Sequence, residues 1–285
     1  MKLKLAYSPC PNDTFAFHAM VHGLIDTEGL EFTVNLADVE QLNKGAASGL
    51  YDMCKLSYHA FFYLCDRYAM LRAGSALGYN NGPLFVAPEG SKLFKPDGTP
   101  DREKISRARV AIPGEMTTGA LLLKLAFPEI TDKSPIIFSS VESEVMAGHY
   151  DAGVLIHEGR FTYRNKGLRL IEDLGAFWQN STGVPIPLGG IAILRTFSPD
   201  IQQKVNRVLN RSIRFAKENP SLSQRYVAEN AQEMDADIQK KHIELFVNDY
   251  SIDIGTEGEK AVNTLYKKVM EINPDICKRD NLFIL

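Results

Sequence analysis

The chain has 285 residues, 45% of them apolar and 24% charged, with 32 Lys plus Arg against 35 Asp plus Glu and a net charge of −3. That length and apolar content suit two domains, or one large one, with ample material for a buried core. A near-balanced charge without a Lys/Arg-rich run excludes the basic face that nucleic-acid binding needs, and no stretch approaches the ~20 apolar residues of a membrane span.

The N-terminal apolar run from Leu5 stops at Ser8, too short for the ~7–15-residue core of a signal peptide. The cysteines are Cys10, Cys54, Cys65 and Cys277; none forms a CxxC pair and no Cys/His spacing fits a zinc site. Four thiols in a chain this long do not make a disulfide scaffold, so the expectation is a soluble cytoplasmic protein in a reducing compartment, without a metal.

In chain order, a strand is predicted over Leu3–Tyr7, then a Pro- and Asn-rich turn and a helix near Thr14–His22. A strand over Leu30–Asn35, a helix near Val39–Ser48 and a strand near Tyr51–Leu56 follow. Gly82–Ala87 reads as a short apolar strand after the turn cluster Tyr79-Asn80-Asn81. Next come a strand over Arg109–Ile112, a helix over Thr117–Phe127, a strand over Pro135–Phe138, a short helix over Glu142–Ala147 and a strand over Ala152–Ile156. Gly189–Leu194 is a second short strand after flexible residues. The C-terminal third is helical: Ser198 is an N-cap residue followed by Pro199, opening a helix to about Glu218, with others near Ser221–Glu233, Ala236–Asn248 and Glu257–Ile272.

This β-α alternation predicts an α/β fold with helices on the faces of mixed or parallel sheets. If the strands at 82 and 189 both cross between lobes, lobe one is residues 1–82 plus 191–285 and lobe two is 83–190. Such a hinged pair could close around a ligand held in the cleft. A weak internal repeat is consistent with two similar lobes: Gly49-Leu50-Tyr51-Asp52 and Gly148-His149-Tyr150-Asp151 share Gly-x-Tyr-Asp, each between a helix and a strand.

Ligands bind at the carboxyl ends of strands in open parallel sheets. Four polar clusters fall there: Ser8–Thr14, Lys55–His59, Glu115–Gly119 and His157–Arg160. Ser8, Asn12 and Asp13 either cap a rigid turn or contact ligand. Thr117 and Thr118 open a helix, where backbone N–H groups and hydroxyls suit an anion, or simply cap it. Ser57 has a similar position. His157 ends an apolar strand; its unperturbed pKa near 6.5 suits a general base, and the alternative is a structural histidine. Cys10 lacks an activating neighbour, and Glu158 points to the opposite strand face from His157. His18 and His22 have metal-compatible spacing without an acidic third ligand and read as surface or packing histidines. Arg160, Arg164 and Arg169 read as solvated charges.

Taken together, Ser8-Pro9-Cys10-Pro11-Asn12-Asp13-Thr14, Gly78-Tyr79, Gly82-Pro83-Leu84, Thr117-Thr118, Asp151-Ala152-Gly153 with Ile156-His157-Glu158, and Pro187-Leu188-Gly189-Gly190-Ile191 resemble the 1,4-dihydroxy-6-naphthoate synthase family, in order from residue 1 to about 195. The resemblance implies a two-lobed fold of the periplasmic-binding-protein type 2 kind without export. It also implies a place in the futalosine route to menaquinone, where cyclic dehypoxanthine futalosine is split into 1,4-dihydroxy-6-naphthoate and a sugar-derived fragment. It implies His157 as catalytic base, substrate contacts at Lys55, Leu56, Ser57, Thr117 and Thr118, a small anionic substrate as partner, and no cofactor. Two other readings share the fold: a non-catalytic binding protein for a small carboxylate, and chorismate dehydratase of the same pathway. No GxGxxG follows a strand, which argues against a dinucleotide enzyme.

Overall fold

The computed structural model describes residues 1–274 and 276–285 and resolves the chain into two units: unit 1, Met1–Gly78 with Pro187–Leu285, and unit 2, Tyr79–Ile186. The first part of unit 1 runs β1 (Lys2–Tyr7), α1 (Pro11–Val21), β2 (Glu31–Leu36), α2 (Val39–Ala47), β3 (Met53–Ser57), α3 (Tyr58–Leu64), β4 (Tyr68–Met70) and β5 (Ala76–Gly78). α1 starts at Pro11 rather than Thr14, because proline at the first helical position loses no hydrogen bond and its fixed φ suits the helix. α3, β4 and β5 were not expected from the sequence; the two strands have three residues each, too short to show a period.

Unit 2 contains β6 (Leu84–Pro88), α4 (Arg102–Ile105), β7 (Val110–Ile112), α5 (Thr118–Ala126), β8 (Lys133–Pro135), α6 (Val141–Met146), β9 (Ala152–Leu155), α7 (Gly159–Thr162), β10 (Leu168–Asp173) and α8 (Leu174–Thr182). The strand expected over Pro135–Phe138 lies earlier, and Phe138–Ser140 is a 3-10 turn. β11 (Ile186–Leu194) then returns the chain to unit 1, which closes with α9 (Pro199–Glu218), α10 (Pro220–Asn230), α11 (Ala236–Phe246), α12 (Asp249–Ile252) and α13 (Gly255–Ile272). At α9 the Ser198 side chain accepts from Ile201 N, a cap worth about 1 kcal/mol, and Val205, Val208, Leu209, Ile213 and Ala216 form its buried stripe.

The unit 1 sheet has the order β2-β1-β3-β11-β4, with β5 also on β11; the unit 2 sheet has the order β10-β6-β9-β7-β8. β1 is parallel to β2 and β3, and β7 to β8 and β9, while β11 runs antiparallel to β3 and β4 and β6 antiparallel to β9 and β10. Both sheets are therefore mixed. The core of unit 1 packs Leu3, Leu5, Tyr7, Phe17, Ile191 and Ile193 against α9; that of unit 2 centres on Leu84, Val86, Val141, Val145 and Leu155.

The Gly-x-Tyr-Asp repeat has a physical counterpart in each unit. Gly49 and Gly148 both take a left-handed backbone, φ 75° and 78°, just past the ends of α2 and α6. The Asp52 carboxylate then accepts from Lys4 N in β1, at 2.8 Å, and the Asp151 carboxylate accepts from Arg109 N beside β7, at 2.9 Å. Each aspartate thus ties the start of a strand to its parallel neighbour.

Candidate active site

In unit 1 the polar residues gather where β1 and β3 end. Asp13, 3% exposed, is the hub. Its Oδ2 accepts from the Ser8 hydroxyl at 2.7 Å and Ser8 N at 3.3 Å; its Oδ1 accepts from Asn12 Nδ2 at 2.9 Å and Lys55 Nζ at 2.9 Å. A buried carboxylate without partners would be prohibitively costly, and four donors, one of them charged, remove that cost. The Lys55–Asp13 pair is itself buried, with side chains 10% and 5% exposed. An ammonium has three N–H donors, and Asp13 engages one.

β11 runs beside β3 at Lys55. Ile191 pairs with Lys55 and Gly189 with Ser57. A Cβ on Gly189 would sit 2.7 Å from Leu56 O and 3.3 Å from Lys55 Cε, so only glycine lets the lysine stem and the two strands meet there. Leu56 is fully buried, and its side chain belongs to the core; a ligand could meet only its backbone. Ser57 accepts from Asn43 Nδ2 at 3.2 Å, while Ser57 N donates to Asn43 Oδ1 at 3.1 Å. Asn43 was not singled out in the sequence, where a lone Asn in a helix gives no signal.

At the end of β1, Tyr7 stacks on Phe17 and shares a 2.6 Å hydroxyl contact with Tyr226. Burial first, then that hydrogen bond, pushes its pKa far up, so Tyr7 stays neutral. His18 and His22 are packing groups: His18 Nδ1 is 3.0 Å from Ser223 Oγ and its ring stacks on Tyr226, and His22 bonds His18 O. Burial, and secondarily His22, lowers the His18 pKa.

In unit 2 three segments meet at the carboxyl edge of β7 and β9. Thr117 caps α5: its hydroxyl donates to Gly114 O at 2.8 Å and accepts from Ala120 N at 3.2 Å. The single hydroxyl proton is thereby committed to the cap. Thr118 follows, 2% exposed, at the first helical position. A Cβ on Gly119 would meet Ile156, Val154 and Pro83 at 3.3–3.5 Å, so the helix start lies against the end of β9 and the entry to β6.

His157 leaves β9 with a φ of +57°. Left-handed backbone costs a residue with a Cβ roughly 1–2 kcal/mol, and such strain concentrates at functional positions. Its ring is half-buried, 4.9 Å from that of Phe138. Asn81, 2% exposed, leads into β6 at the same edge, and neither its Nδ2 nor its Oδ1 has a hydrogen-bond partner among the described residues. Sequence reading placed Asn81 only in a turn cluster; its burial is a tertiary fact. Arg160 is not a solvated charge: it donates to Gly82 O and to Asp173 Oδ2, at 2.6 and 2.9 Å, bracing the entry to β6 against the cap of α8. Arg169 is exposed, as expected, with its guanidinium bonded to Gly98 O over the Phe94 ring. Among the described residues no helix is long and apolar enough to cross a membrane.

Comparison with known proteins bears on what these groups do. Residues 3–271 match the family model described as menaquinone biosynthesis. Two relatives, from Thermus thermophilus and Streptomyces coelicolor, are each 37% identical and are named 1,4-dihydroxy-6-naphthoate synthase. The alignment covers 93% of this chain and 92% of the Thermus protein, and 92% and 91% for the Streptomyces protein. A crystal structure from Archaeoglobus fulgidus superposes with a TM-score of 0.86 at 34% identity, covering 96% of this chain and 98% of that one. The alkanesulfonate-binding protein of Xanthomonas axonopodis pv. citri superposes with a TM-score of 0.67 at 13% identity, over 99% and 96% of the two chains, which shows a shared periplasmic-binding-protein-like fold.

Proposed function

Because the chain belongs to the menaquinone-biosynthesis family, we propose that it is an enzyme forming 1,4-dihydroxy-6-naphthoate, by opening cyclic dehypoxanthine futalosine with release of a sugar-derived fragment. The observation that carries this reading is the relatives' shared name at 37% identity over almost the whole chain. His157 acts as the general base. A neutral imidazole at pH 7 accepts a proton from an acidic C–H of the substrate, a contribution of about 10²–10⁴ in rate. Its strained turn at the end of a rigid strand supports that role, since a base must be held in a fixed direction.

The substrate is a small anion. Lys55 supplies a cation and Ser57 a hydroxyl; Ser8, Asn12 and Asp13 keep the lysine in place. Thr118 and the start of α5 suit a carboxylate, with Thr117 capping Ala120 N. The reaction needs no cofactor and takes place in the cytoplasm.

The test mixes purified protein with cyclic dehypoxanthine futalosine and follows 1,4-dihydroxy-6-naphthoate by chromatography and mass, beside His157→Ala. Product from wild type and a loss of about 10²-fold or more in the variant, with substrate binding intact, is the expected result. Binding without product would move the chain to a carboxylate-binding role or to the sister dehydratase. Equal product from both would keep the reaction and remove His157 from it.

A further inference from the structure

The C-terminal helices of unit 1 look like packing elements in the sequence, yet one of them carries a polar group into the Asp13 cluster. His242 on α11 is fully buried, and its Nε2 lies 2.9 Å from Asn12 Oδ1. Its ring packs on Phe246, centroids 4.6 Å apart.

The chemistry of the neighbours fixes the direction of every bond. Asp13 Oδ1 lies 2.9 Å from Lys55 Nζ, and an ammonium only donates, so that oxygen accepts. The Asn12 group 2.9 Å from Asp13 Oδ1 must therefore be the amide NH2. That leaves the amide oxygen facing His242, and an oxygen can only accept. His242 must present an N–H at Nε2. The result is a directed chain: His242 donates to Asn12, Asn12 donates to Asp13 Oδ1, and Lys55 Nζ donates to the same oxygen.

We infer that His242 is a positioning residue for Lys55: by holding the Asn12 amide it fixes the Asp13 carboxylate against which the lysine is aimed at the substrate's anionic group. The inference rests on the substrate-binding role proposed for Lys55. Losing the donor leaves the Asn12 oxygen buried and unsatisfied, and the carboxylate loses its fixed orientation.

The experiment measures kcat and KM for cyclic dehypoxanthine futalosine with wild type, Lys55→Met, His242→Phe and His242→Gln. Phenylalanine keeps the volume and the stacking; glutamine keeps an N–H close to the Nε2 position. A cation that binds substrate and transition state alike appears in KM. We expect Lys55→Met and His242→Phe each to raise KM by about tenfold or more with kcat little changed, and His242→Gln to restore most of it, tenfold being the scale of one well-placed hydrogen bond. In a double-mutant cycle, Asn12→Leu and His242→Phe together cost no more than Asn12→Leu alone.

If Lys55→Met raises KM and folded His242→Phe does not, the inference is overturned while the role of Lys55 stands. If Lys55→Met leaves KM unchanged, the binding role fails and the inference with it. Equal defects in the Phe and Gln variants would reduce His242 to packing. Should His242→Phe not fold, long-range proton–nitrogen spectra of the wild type decide: a proton on Nε2 is required, and a bare Nε2 overturns the chain.

Discussion

Both units gather polar side chains at the carboxyl edge of a mixed sheet, but the two edges are built to opposite rules. In unit 1, Asp13 alone collects four donors, and Ser57 and Asn43 bond each other twice. In unit 2, the Asn81 amide is buried without a partner among the described residues, and His157 holds a left-handed backbone. The first edge contributes to stability while it orients a cation. The second carries an unsatisfied amide and a left-handed backbone, both of which lower stability. Strain and desolvation are tolerated at functional positions because the surrounding fold over-determines them.

The largest expected effect breaks the unit 1 edge. Lys55→Met leaves Asp13 charged, buried and short of its cation, at a cost of about 3–5 kcal/mol in urea denaturation. Adding Asp13→Leu to that variant should recover much of the loss, because a buried pair replaced by apolar groups is nearly neutral. No recovery would mean that Asp13 supports the turn independently of Lys55.

On the unit 2 edge the sign reverses. Asn81→Leu, close in shape and apolar, should raise stability by about 1–3 kcal/mol, the desolvation of an unsatisfied amide. A destabilised variant would show that Asn81 is satisfied in solution. A smaller effect separates two substitutions of His157, the proposed base. His157→Gly and His157→Ala should both lose turnover, yet the glycine variant should be the more stable by about 1 kcal/mol, since only glycine relaxes at φ +57°. Equal stability would deny the strain.

The smallest effect concerns pH. Burial lowers the His18 pKa, so below about pH 6.5 the unfolded chain takes up a proton that the folded chain resists. Stability is therefore present above that pH and lost as it falls. The drop in urea midpoint between pH 7.5 and 5.5 should be smaller for His18→Gln than for wild type. An equal drop would place the acid sensitivity elsewhere.

Much of this was legible in the sequence, for identifiable reasons. Short-range signals survived: the Ser198-Pro199 cap, the strand–helix alternation, and the Gly-x-Tyr-Asp repeat, whose aspartates make equivalent bonds in the two units. The cluster at Ser8–Asp13 was visible because its residues are adjacent. β10 and α8 were missed although Leu168–Asp173 partly alternates and Asp173 caps the helix by accepting from Gly175 and Ala176; a closer reading of local rules would have found both. His242 and Asn43 had no such signal. The meaning of His242 lies in a bond to Asn12 made 230 residues away, and that of Asn43 in a bond to Ser57 that only the packing of α2 on β3 brings about.

The path of the chain through unit 1 has a consequence for synthesis on the ribosome. β11 fills the place between β3 and β4, and α11 brings His242 to Asn12, yet both emerge only after all of unit 2 has been made. At about 5–20 residues per second, β3 waits on the order of ten seconds for its partner. Unit 2, continuous in sequence, can fold during that interval. The nascent N-terminal segment meanwhile exposes the open edge of β3 and lacks the His242 donor to Asn12, and an open strand edge is a template for wrong pairing until β11 covers it.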